Sequence, residues 1–124
     1  MHHPPIVLAG LPWMASDGLR NAEALGAVLA GTDIRAVLCG HFHLQLAGSL
    51  RGIPVSVTPG VVTRLDLTTR PQLWRGVKGA GATVVDLGVA GGPLFHALQA
   101  RDPHAGEPVY LLEVPTGAAA TTED

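Results

Sequence analysis

Three histidines of this 124-residue chain stand where metal chemistry would put them. Gly40-His41-Phe42-His43 follows directly on Arg35-Ala36-Val37-Leu38-Cys39, a short run with few polar residues. Neutral imidazole is a common ligand for divalent Zn, Fe and Mn, and Gly40 lets the backbone bend where a strand ends. If the chain stays extended through the pair, alternation places both imidazoles on the same side. In a tight loop the two rings instead split between neighbouring ions. His2 is the third candidate. His3-Pro4-Pro5 behind it excludes a helix, because a residue before proline is pushed to extended geometry. That stiffness would hold His2 at the mouth of a site.

These residues need elements to position them. A helix is predicted from about Asp17 or Gly18 to Ala30, with Leu19, Ala22, Leu25, Val28 and Leu29 on one face. Asp17 suits its N-cap and Gly31 its stop. The strand before Gly40 reads as buried on both faces. Leu46 to Leu50 and Ile53 to Thr58 are predicted strands joined at Arg51-Gly52, a hairpin turn. Pro54 argues for an edge or a strand start. Thr69 to Gly81 reads as a long loop. Ala82 to Leu87 and Leu94 to Leu98 form an antiparallel pair around Gly91-Gly92, and Val109 to Glu113 adds a last strand. Residues 1–114 then form one α/β unit, a main helix followed by mostly antiparallel short strands, and residues 115–124 a disordered tail.

Composition narrows the class of function. Hydrophobic residues make up 47% of the chain but aromatics only 4%, so the core is built from aliphatic side chains. A formal net charge of −2 leaves no electrostatic footprint for nucleic acid or an anionic membrane. An anionic substrate therefore needs a local positive centre such as a metal. The apolar run Ile6 to Ala15 is broken by Gly10 and Pro12 and lacks a basic leader, and it is far shorter than the roughly 20 residues that cross a bilayer. The lone Cys39 has no internal disulfide partner, which favours a reducing cytoplasm. His96 and His104 lack comparable context. Trp13 and Trp74 read as core or interface residues before they read as a base pocket.

The strings HHPPI at 2–6, ALGAVLAGTDIRAVLCGHFH at 24–43, GIPVSVTPG at 52–60 and ATVVDLGVAGGPLFHALQ at 82–99 resemble the calcineurin-like metallophosphoesterases, specifically the class III cyclic nucleotide phosphodiesterases. The resemblance implies the C-terminal half of a four-layer sandwich with a dinuclear site at the strand ends. It implies that His2 and His41 are ligands of one divalent metal (Mn, Fe or Zn) and His43 of the other. His3 corresponds to a neighbouring outer or structural residue, and Thr58, Pro59 and Gly60, which follow a strand near the expected site, are expected to border the substrate pocket. The activity implied is metal-dependent hydrolysis of a phosphodiester, with a 3′,5′-cyclic nucleotide such as cyclic AMP as one substrate.

The family's DxH, GD and GNH motifs have no counterpart here, since Asp17, Asp33, Asp66, Asp86, Asp102 and Asp124 lie in helix-start, turn, strand or tail contexts. The chain is therefore expected to be an incomplete fragment that supplies no catalytic residue of its own and shows little activity alone. Two further readings stay open. One is an assembly or metal-binding module that pairs with itself or with a separate N-terminal half. The other is an inactive remnant.

Overall fold

The computed structural model describes residues 1–114; the segment 115–124, expected as a disordered tail, lies outside the described residues. Two short helices come first, α1 over Trp13–Asp17 and α2 over Ala22–Leu29. Eight strands follow: β1 Val37–Cys39, β2 Leu46–Leu50, β3 Ile53–Val57, β4 Thr63–Leu65, β5 Leu73–Lys78, β6 Gly81–Asp86, β7 Leu94–Gln99 and β8 Pro108–Glu113. They form three small sheets of order β1-β3-β2, β4-β5-β8 and β6-β7. Among the described residues only β1–β3 is a parallel pair. The fold is mixed α/β with mostly antiparallel short strands. Among the described residues no helix is long and apolar enough to cross a membrane.

The helical segment differs from its prediction. Gly18 is extended and its N–H closes α1 on Met14, so the helix expected from Asp17 does not begin until Ala22. Asp17 ends α1 and caps nothing in α2, whose first residue follows Asn21. Leu25 and Leu29 pack on the core, with Gly26 buried against Leu50 and Arg51 of the hairpin. Val28, expected on the same face, is 73% exposed. An eight-residue helix lying on one narrow hairpin buries a stripe too thin to include it.

Arg51 and Gly52 both take positive φ, 48° and 84°, as a two-residue hairpin turn demands. Pro54 falls in the central strand and not at an edge, yet near its start. It faces Ser49 of β2, while the β1 ladder begins one residue later at Val55. The pair next to a two-residue turn is the hydrogen-bonded one, so position 54 turns its nitrogen away from β2. No ladder bond is lost to the missing N–H. Leu38 corrects the expectation that β1 is buried on both faces: Val37 and Cys39 are inside, Leu38 is 44% exposed.

The segment Thr69 to Gly81, expected as a long loop, instead holds β5, the central strand of the second sheet. Gly76, which looked like a loop residue, lies directly beneath the Tyr110 ring of β8 and leaves no room for a side chain. Two adjoining core clusters result. Val37, Cys39, Leu50, Val55 and Val57 form one; Trp13, Met14, Phe42 and Leu44 form the other, and Leu46 packs against both. Burial of side chains as enclosed as Met14, Val55 and Val57 contributes about 1.5–3 kcal/mol each.

Candidate metal centre

The opening segment is anchored before it reaches any chemistry. Pro4 and Pro5 are buried, and the Pro4 carbonyl accepts from Leu19 N–H at 2.9 Å. The Met1 amine donates to Leu38 O at 2.8 Å and Gly40 N–H donates to His2 O at 3.2 Å, so residues 1–2 run beside the end of β1. Gly40 onward is set by Phe42, which is 2% exposed and sits in the second core with Trp13 and Met14. Burying Phe42 leaves the residues on either side of it outside that core. His41 and His43 both adopt positive φ, 71° and 50°, a region costing roughly 1–2 kcal/mol per residue outside glycine. The loop is therefore tight, and its two histidines part company.

His41 turns toward the opening segment. Its Nδ1 lies 3.0 Å from His2 Nε2, and its ring centroid is 4.7 Å from that of His2 and 4.1 Å from that of His3. One nitrogen from each of His2, His3 and His41 falls within 4.8 Å of the other two. His3 Nδ1 donates to the carbonyl oxygen of Asp17 at 2.8 Å; a carbonyl only accepts, so the proton is on Nδ1 and the neutral ring keeps its lone pair on Nε2. Burial, then the neighbouring His3 and His2 imidazoles, which disfavour an added proton there, push the His41 pKa down, against an opposing pull from Asp17. These effects favour neutral His41, the form that binds a metal.

His43 faces elsewhere. Its Nδ1 pairs with Thr63 Oγ1 at 2.9 Å, its carbonyl accepts from Leu65 N–H, and its ring lies against Gly60. It lines a pocket of about 480 Å³ that includes Arg64, Asp66 and Thr68. A second pocket, of about 190 Å³, runs between His41 and His43 and is lined also by Asp17, Trp13, Trp74 and Tyr110. Trp13 stacks edge-on against both Phe42 and Trp74 and belongs to the core. Thr58 lies apart from His43: its N–H donates to Cys39 O at 2.9 Å and its hydroxyl accepts from Thr83 at 3.1 Å, beside a different pocket that Met1 and Leu38 help line.

The structure thus brings His2 and His41 together with His3 as a third member, and leaves His43, Thr58 and Gly60 outside that cluster. Asp17, read in the sequence only as a helix cap, and Thr63 were not expected at the site. Nothing local marks them, since Asp17 acts through its main-chain oxygen and Thr63 lies 20 residues from its partner. The donor set suits a divalent transition metal, being imidazole only, with no carboxylate in the cluster among the described residues.

No protein-family model matches the sequence. A cAMP/cGMP dual specificity phosphodiesterase of Mycobacterium tuberculosis is 44% identical over 80 residues, which is 64% of this chain and 25% of that protein. A protein of Rhodococcus erythropolis described as "Probable cyclic nucleotide phosphodiesterase" is 34% identical over 113 residues, 88% of this chain and 36% of the relative. The chain spans between a quarter and just over a third of the length of these relatives. It is a partial homologue of class III cyclic-nucleotide-phosphodiesterase-like metallophosphoesterases, with one histidine-rich cluster able to hold a metal.

Proposed function

We propose that this chain carries the histidine portion of the metal centre of a phosphodiesterase acting on phosphodiesters of the 3′,5′-cyclic nucleotide type. The observation that carries the reading is the meeting of His2 and His41, distant in sequence, with nitrogens 3.0 Å apart. In this reading His2 and His41 hold one ion, His43 faces a second, and Gly60 keeps the His43 ring in place. Divalent ions at such a centre supply the positive charge that activates water and stabilises the phosphoryl oxygens. The residues of the chain orient the imidazoles: Asp17 through His3, Thr63 through His43. Arg64 lines the pocket beside His43 and offers a cation there to an anionic ester.

Two ions close together repel strongly unless an anion lies between them, and no carboxylate joins the cluster among the described residues. The reading therefore expects little turnover from this chain alone. A chimera with the N-terminal portion of the Rhodococcus relative placed in frame before Met1 tests it. Mn²⁺-dependent hydrolysis of bis(p-nitrophenyl) phosphate and cyclic AMP by the chimera, well above that of the chain alone, supports the proposal. A folded chimera that binds Mn²⁺ and hydrolyses neither substrate refutes it.

A second reading, assembly with another unit or with a second copy, is favoured by the apolar side chains left exposed on two sheets, Leu38 on β1 and Val84, Leu94 and Leu98 on the β6–β7 pair. Light scattering of the purified chain distinguishes a monomer from a dimer and so tests the self-pairing form.

A further inference from the structure

We infer that the pocket of about 480 Å³ beside His43 is a nucleoside subsite, in which the carboxamides of Gln45 and Gln99 hydrogen-bond the base and Arg64 meets the phosphodiester. The inference rests on the phosphodiesterase reading and adds to it the residues that recognise the organic half of the ester.

All three sheets contribute to the walls. Gln45 stands just before β2, Arg64 lies in β4, Val77 in β5, and Gln99 ends β7. Backbone contacts fix these walls in advance of any ligand. Leu65 N–H donates to His43 O at 3.2 Å, Gly106 N–H to Lys78 O at 2.9 Å and Ala100 N–H to Ala80 O at 2.8 Å. Gly81, paired with Gln99, lets the end of the β6–β7 hairpin press on Pro59, since a Cβ there would fall 3.0 Å from Pro59 Cβ. That contact brings Gln99 to the pocket that Pro59 also lines. The lining then divides by polarity. Leu44, Pro59 and Val77 are buried and apolar, whereas Gln45, Arg64 and Gln99 are exposed. An apolar surface with a few polar groups, in a volume of roughly 300–1,000 Å³, is the pattern of a small-molecule site. A base suits it well. Its faces are apolar and its edge carries both donors and acceptors, which a carboxamide also presents together. Charge suits the ester. Asp66, the carboxylate of the lining, already binds Thr68 and pairs with Arg75 at 3.3 Å, which leaves the Arg64 charge for an anionic ligand. The other cavities fit less well. Where Met1 and Leu38 line one, its Thr58 and Thr83 hydroxyls are bonded to each other. The one between His41 and His43, about 190 Å³, falls below that size range.

Side-chain amide spectra of the ¹⁵N-labelled chain test this without reference to turnover. Gln72, the remaining glutamine of the sequence, lies outside the pocket and is an internal control. Adenosine carries the nucleoside without the charge. At millimolar concentration it should shift the Gln45 and Gln99 amides and leave that of Gln72 in place, while inorganic phosphate should shift none of them. Gln45→Ala and Gln99→Ala should each weaken adenosine binding about three- to tenfold, the loss of one neutral hydrogen bond. Arg64→Ala should weaken binding of 3′,5′-cyclic AMP about tenfold or more, with a smaller effect on adenosine. Should a variant fail to fold, the spectra of the parent chain alone give the decision. Adenosine that moves neither pocket amide, or moves all the glutamines alike, overturns the assignment, and so does parent-like affinity in either folded glutamine variant. Phosphate that binds where adenosine does not reduces the pocket to an anion site and overturns it as well. The chimera assay keeps the two readings apart. Adenosine bound at Gln45 and Gln99 without hydrolysis by the chimera defeats only the phosphodiesterase reading. Hydrolysis by the chimera with silent carboxamides defeats only the subsite.

Discussion

His43 and Gly60 lie in a contact that leaves no space for a side chain: a Cβ on Gly60 would fall 2.9 Å from His43 Cγ and 3.1 Å from its Nδ1, and would also collide with the Thr63 carbonyl. The Thr63 oxygen belongs to backbone and cannot swing aside. Gly60→Ala is therefore expected to lower stability by about 1–3 kcal/mol, the usual cost of overpacking. Gly79→Ala is the control. Its Cβ meets only the flexible Arg64 side chain, at 3.2 Å and beyond, and should cost less. Urea denaturation of the two variants checks the order, and equal midpoints would contradict the packing argument.

Met14 is fully buried, whereas Val28 is 73% exposed on a helix whose pattern suggested otherwise. Met14→Ala should cost about 2–5 kcal/mol, removing a side chain that packs beneath the metal-centre loop. Val28→Ala should stay within about 0.5 kcal/mol. Thermal melts followed by circular dichroism decide this; a large loss on truncating Val28 would place it in the core.

Asp66 is held below the usual carboxylate range, first by the Thr68 hydroxyl at 2.6 Å, then by the Thr68 amide at 2.9 Å, with Arg75 assisting at 3.3 Å. A depressed folded-state pKa means that the stabilising contribution is complete above the unfolded value. It is lost as pH falls below about 4, through the folded value. Asp66→Asn should thus flatten the acid limb of the melting-temperature profile. Profiles that run parallel from pH 5 to pH 2 would remove Asp66 from that account.

Burial raises the pKa of the Cys39 thiol, partly offset by the amino terminus. The side chain is 5% exposed inside the first core. A protonated, enclosed thiol reacts slowly, so labelling by a disulfide reagent near pH 8 should proceed only after unfolding, with the rate rising steeply across the urea transition. Rapid labelling of the folded chain would show that the first core opens locally.

Much of the fold could be read from local signals. The strand before Gly40, the Arg51-Gly52 turn and the β6–β7 pair are all specified by residues within a few positions of each other, and they stand close to where the pattern put them. β5 was hidden because Gly76 and the neighbouring glycines look like loop residues until Tyr110 is seen covering one of them. Val28 and Leu38 were misassigned because periodicity shows which residues share a face, but not whether anything covers it.

The order of residues alone determined that imidazoles would flank a strand end and a proline-stiffened opening segment, since residue type and proline geometry are local properties. Only the tertiary structure decided which rings meet. Buried Phe42 separates His41 and His43, both in left-handed backbone, which take different hydrogen-bond partners, and α1 carries the Asp17 carbonyl to His3. Those contacts join residues 14 to 39 positions apart. Their formation depends on the packing of the second core, which no short stretch of sequence contains.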